Sequence, residues 1–138
     1  MSKLNCILLI DDDAATNMYH KIVIDRSEIA NHVQVCIDGQ DALNYLTNKG
    51  EYVNNGVTYP RPVLIFLDIN MPGMNGFEFL DAYQLLPEEQ KGNLIIMMLT
   101  TSLNEEDKVK AKSYKEVSGF LNKPLSKDVL DGIIEQYF

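Results

Sequence analysis

The sequence predicts a doubly wound α/β domain, and three observations carry that prediction. Five short apolar runs recur along the 138 residues, each followed by a stretch with helical spacing. Most of the runs are apolar at consecutive rather than alternate positions, the mark of strands covered on both faces. Strict strand–helix alternation then implies right-handed crossovers, and so a parallel sheet with helices on both sides.

Asn5 to Ile10 (NCILLI) is the first run, and helical spacing follows from Ala14 to about Ala30. HVQVCI, His32 to Ile37, precedes a helix from Gln40 to Asn48, and PVLIFL, Pro62 to Leu67, precedes one from Phe77 to Leu86. LIIMML, Leu94 to Leu99, leads to a helix near Glu105 to Tyr114. SGFL, Ser118 to Leu121, leads to a last helix from Lys127 to Tyr137. The stretch NKGEYVNNGVTYPRP, Asn48 to Pro62, has the composition of a loop. It is long for a helix-to-strand connection, where about 2 to 6 residues are usual, and is either functional or merely tolerated.

Composition narrows the function. A chain of this length with 46% hydrophobic content builds one core, burying roughly two-thirds of its unfolded surface. With 20 acidic residues against 12 scattered basic ones and a net charge of −8, nucleic acid is repelled and is not expected as a partner. Cys6 and Cys36 each sit inside an apolar run, where a buried thiol packs better than a disulfide would form, so a reducing, cytoplasmic location is expected. The apolar stretch near the N-terminus is too short for a signal peptide's core and ends in three aspartates. No run approaches the roughly 18 apolar residues of a membrane span.

In an open α/β sheet, ligands bind outside the carboxyl ends of the strands. Those ends carry Asp11, Asp12 and Asp13 after the first strand, Asp68, Ile69 and Asn70 after the third, Thr100, Thr101 and Ser102 after the fourth, and Lys123 and Pro124 after the fifth. Asp13 reads as the cap of the first helix, and Ser102 or Asn104 compete with Thr100 to cap the fourth. An acidic triplet directly after an apolar strand exceeds what capping needs, which points to Asp11 and Asp12 as functional. Crowded carboxylates repel, and either proton uptake or a divalent cation relieves them; hard oxygen ligands suit Mg²⁺. A carboxylate so placed can attack phosphorus while metal, lysine and hydroxyl offset the charge on the transferring oxygens.

The blocks ILLIDDD, FLDINMPGMNG, IMMLTTS and GFLNKP, in this order, resemble the signature blocks of the response-regulator receiver family of the chemotaxis-regulator type, over essentially the whole chain. The resemblance implies the flavodoxin-like (βα)5 arrangement with strand order 2-1-3-4-5 and a cis peptide before Pro124. It implies that Asp68 is the phosphoacceptor, that Asp12 binds Mg²⁺ directly and Asp11 through water, and that Asn70 lends the metal its backbone carbonyl. Thr100 matches the switch hydroxyl, Lys123 the phosphate-pairing lysine, and Phe120 the aromatic switch, although a phenylalanine on a central strand is also ordinary core. The implied activity is phosphoryl transfer from a sensor histidine kinase or phosphotransfer protein, after which the fourth helix, fifth strand and fifth helix present an altered face.

One receiver domain over residues 1–138 is expected, without an output domain, so that the signal leaves through a separate downstream protein or through phosphorylation-dependent dimerisation. Thr101 is larger than the alanine or glycine frequent at its position and narrows access to the site. Asn70 and Ser102 occupy positions that in the family influence phosphate hydrolysis. His20 and His32 are expected away from the strands' carboxyl ends, as ordinary helix and strand-edge residues.

Two rival readings use the same residues. LLIDDDAAT also resembles the haloacid-dehalogenase phosphatases, which would make Asp11 the nucleophile and Asp13 the acid, with Thr100 and Lys123 filling later motifs. That family needs a further acidic pair after a later strand, where only helical Asp128 and Asp131 follow Lys123, and it leaves FLDINMPG unexplained. A receiver-like interaction module that is never phosphorylated would lack the acceptor, the acids or the lysine, and all are present. Flavin or nucleotide binding would want a glycine-rich loop after the first strand.

Overall fold

In the computed structural model, which describes residues 3–53, 59–91, 94–101 and 104–138, the first apolar run becomes strand β1, Ile7–Ile10, with every side chain buried. Asp13 then caps helix α1, Ala14–Ser27, its carboxylate accepting the Thr16 N–H. The helix ends three residues before the Ala30 expected from spacing. Glu28 turns left-handed, and its N–H closes on the Asp25 carbonyl. Ala30 pairs instead with Leu4 ahead of the next strand.

Strand β2, Val33–Cys36, is followed by α2, Gly39–Thr47, capped by Asp38. Strand β3, Leu64–Asp68, is wholly buried and carries Asp68 as its last residue. Helix α3, Gly76–Gln84, opens on a capping box between Asn75 and Glu78. Strand β4 is Ile95–Thr100, and α4, Glu105–Lys112, is capped by Asn104. Ser102, which sequence made a rival cap, lies outside the described residues. Strand β5, Val117–Asn122, and α5, Lys127–Tyr137, complete the alternation.

The five parallel strands stand in the order β2-β1-β3-β4-β5, and the Lys123–Pro124 peptide is cis, both as expected. Side chains alternate between the two faces of the sheet, so neighbouring apolar residues feed different cores. Leu8, Ile10, Ile65 and Leu67 pack with Ala42, Tyr45, Phe79 and Leu80 of α2 and α3. Ile7, Leu9, Leu64 and Phe66 pack with Ile24 of α1 and Leu130, Ile133 and Ile134 of α5. Cys6 and Cys36 are buried, free thiols.

Two short helical turns escape the sequence pattern, Gly50–Tyr52 and Glu88–Lys91. The first belongs to the long loop, of which residues 54–58 lie outside the described part. The flanks of that loop are tied down. Tyr45, Tyr52 and Tyr59 meet edge to face with ring centroids 5.0, 5.2 and 5.9 Å apart. Arg61 donates to the carbonyls of Tyr45 and Leu46 at 3.2 and 2.6 Å, satisfying the end of α2.

The loop from β3 into α3 passes so close to its own strand that only glycine fits at position 76. A Cβ there would lie 2.6 Å from the Asp68 carbonyl oxygen and 3.0 Å from the Ile69 Cα. Both contacts are backbone, so neither can swing aside. Gly76→Ala is expected to cost about 1–3 kcal/mol, read as a lower urea midpoint. An unchanged midpoint would contradict the close approach.

Candidate functional site

At the carboxyl end of β1 the backbone continues pairing for one residue, the Asp11 N–H donating to the Cys36 carbonyl at 3.1 Å. This fixes Asp11 pointing into the crevice, 4% exposed. One of its oxygens accepts the Asp13 N–H at 2.9 Å, and the other accepts from Lys123 Nζ at 2.6 Å. Asp12 faces solvent. Asp13 is turned away onto Thr16, whose N–H and hydroxyl both donate to its carboxylate, so it is engaged as a cap, as the sequence suggested.

Asp68 closes the floor, buried, 3.0 Å from Lys123 Nζ. The lysine reaches inward because its own N–H donates to the Thr100 carbonyl at 2.8 Å, carrying the β4–β5 pairing past Asn122. Thr100 is buried, whereas Asn70 and Thr101 are exposed at the rim. Phe120 lies opposite Met98 on β5, half-buried against the α2–α3 core.

One ligand oxygen from each of Asp11, Asp12 and Asp68 lies within 4.8 Å of the others. Three carboxylates and a single ammonium leave a net excess of negative charge when all are ionised. Burial pushes the Asp68 carboxyl above the usual carboxylate range; the Lys123 hydrogen bond opposes the rise, and Asp11 and Asp12 add to it. Burial works against the Lys123 ammonium too, but its bonds to Asp11 and Asp68 outweigh that and raise its pKa. The geometry therefore favours the charged lysine and leaves carboxylate charge for a divalent cation to neutralise. Hard oxygen donors at this spacing fit such an ion.

His20 departs from its expected place. It is buried, and its Nε2 accepts the Leu125 N–H at 3.1 Å, just beyond the lysine-bearing end of β5. Asn17, one turn earlier on α1, is also buried and donates from Nδ2 to the Asp11 carbonyl at 2.8 Å. The His20 contact has no local sequence signal, since its partner stands 105 positions away. His32 keeps its strand-edge role beside Gln34. The acidic residues the phosphatase reading would need do not converge: Asp131 pairs with Lys127 on the exposed surface of α5.

Residues 7–135 match the family described as "Response regulator receiver domain". Over 101 residues the chain is 36% identical to Response regulator Rcp1 of Synechocystis, covering 73% of this chain and 65% of that protein. The solved structure of a two component response regulator from Cytophaga hutchinsonii superposes with a TM-score of 0.83 at 30% identity, covering 98% of this chain and 97% of the other. The Mn²⁺-bound form of Rcp1 superposes with a TM-score of 0.74 at 33% identity, covering 96% and 93%.

The raised Asp68 carboxyl sets a sign. In the absence of a cation, its contribution to stability is fully present below its unfolded pKa and is lost as the pH rises through the folded value. A divalent cation bound there would need the ionised form and would stabilise the fold at neutral pH. The cation-induced rise in Tm should shrink on acidification at a pH above the ordinary aspartate value of about 3.9. Differential scanning calorimetry with and without chelator checks this, and a rise that persists unchanged down to that value contradicts it.

Proposed function

Because the chain belongs to the response regulator receiver family, we propose that it is the receiver domain of a two-component response regulator whose phosphoacceptor is Asp68. The observation that carries the reading is the Lys123 ammonium lodged between Asp11 and Asp68, at 2.6 and 3.0 Å, beside three convergent carboxylates.

An Asp68 carboxylate oxygen attacks the phosphorus of a phosphohistidine on a sensor kinase or phosphotransfer protein. The O–P bond forms as the P–N bond breaks, and the imidazole nitrogen leaves with the electron pair. Asp12, Asp68 and the Asn70 carbonyl would hold Mg²⁺, with Asp11 acting through water; the convergence of Asp11, Asp12 and Asp68 and the Mn²⁺ named in the related Rcp1 structure support a divalent ion of this class. When bound, the ion offsets charge on the transferring oxygens. Lys123, 3.0 Å from Asp68, offsets charge on the same oxygens.

The acyl phosphate adds roughly two negative charges. Thr100 turns to donate its hydroxyl to them, and Phe120 follows into the vacated space. The face formed by α4, β5 and α5 then changes for a reader, either a separate protein or a second phosphorylated copy. Free, buried Cys6 and Cys36 suit a cytoplasmic setting.

Incubation with Mg²⁺ and acetyl phosphate should give one phosphoryl adduct by mass spectrometry, and Asp68→Asn should abolish it. Label on the Asp68→Asn protein, or none on the native one, sinks the reading; label at Asp11 would restore the phosphatase alternative. Lys123→Ala should leave Mg²⁺ affinity largely intact while slowing phosphorylation on the order of 100-fold, the scale of a lost charge-stabilising group. Loss of metal binding at an unchanged rate would contradict its role.

A further inference from the structure

One face of α1 grips the backbone on both sides of the acid pocket. Asn17 holds the turn bearing Asp11 and Asp12 through the Asp11 carbonyl, and His20 holds the turn bearing Lys123 through the Leu125 N–H. The two side chains stand one helical turn apart, so they project from the same face. Lys123 then spans the gap between the two turns they secure.

An aliphatic residue at position 20 would fill its buried place without the desolvation cost of an imidazole. It would also leave the Leu125 N–H without that acceptor. Leu125 is itself buried and precedes the Ser126 cap of α5, so no helical carbonyl takes its N–H. We propose that His20 is a positioning residue for phosphoryl transfer, its neutral Nε2 fixing the Lys123–Leu125 turn so that the ammonium reaches Asp68. Burial, and then the charge of Lys123, disfavour the imidazolium form that would forfeit this acceptor.

The inference rests on the phosphoacceptor reading above, and its test separates the two. The full chain is compared with His20→Leu, which removes the acceptor, and His20→Gln, whose amide oxygen reaches a similar distance. Phosphorylation by acetyl phosphate is timed, Mg²⁺ affinity is measured by calorimetric titration, and long-range ¹⁵N spectra of the native protein report the His20 tautomer. The expected results are an Nδ1-protonated neutral ring, a rate lower on the order of tenfold in His20→Leu at unchanged Mg²⁺ affinity, and most of the rate retained in His20→Gln.

Native phosphorylation at Asp68 with His20→Leu equally fast overturns the positioning role alone. So does His20→Gln folded yet as slow as His20→Leu, or an Nε2-protonated ring. Should His20→Leu fail to fold, His20→Asn replaces it, since the shorter amide falls short of the Leu125 nitrogen. A native protein that takes no label overturns the phosphoacceptor reading and this inference with it.

Discussion

The Lys123 ammonium, 2.6 Å from Asp11 and 3.0 Å from Asp68, is the contact around which the upper edge of the sheet is arranged. It joins the ends of β1, β3 and β5 through residues 112 and 55 positions apart in the chain. Two of the three are delivered by backbone pairing that runs on past a strand's end, Asp11 by its bond to Cys36 and Lys123 by its bond to Thr100, while Asp68 is the last residue of β3 itself. The register of the parallel sheet therefore sets the reach of the side chains, and a slip of one residue would turn any of them to the opposite face.

Such an arrangement serves chemistry better than stability. Removing carboxylates and an ammonium from water costs several kcal/mol per ion, which a mutual attraction does not always repay. Here the imbalance of three acids to one base leaves that cost partly uncompensated, a deficit that a bound divalent cation would relieve. Three neighbouring polar groups are meanwhile engaged with backbone: Asn17 through its Nδ2 with Asp11, His20 with Leu125, and Asp13 with the first turn of α1. These bonds fix the turns that carry Asp11 and Lys123, which is what preorganisation means at this scale.

The fold was legible because its signals are local. Consecutive apolar residues in β1, β3 and β4 have only one place to go in a chain this size, and Asp38, Asn75, Asn104 and Ser126 each cap a helix where the pattern turns. The acidic triplet and the lysine were legible for the related reason that all follow strands directly. What sequence missed is long-range or weakly patterned. The α1 pattern ran on to Ala30 because nothing in the spacing marks Glu28 as left-handed. The turn Glu88–Lys91 has no buried side chain to give it periodicity. His20 looked like any helical residue because its acceptor role exists only once α1 is packed beneath the end of β5.

The three tyrosines gathered at the end of α2 have an optical consequence. The chain contains no tryptophan, so its ultraviolet emission comes from its seven tyrosines, and Tyr45, Tyr52 and Tyr59 form one touching group among them. The residue after Asp68 is Ile69, which does not emit. Intrinsic fluorescence of this protein thus sums that group with four other tyrosines, among them Tyr19, which lines a hollow with Lys123 and Thr101 beside the acid pocket. Removing the α2 group's emission would leave Tyr19 as the tyrosine that reports on the lysine-bearing edge.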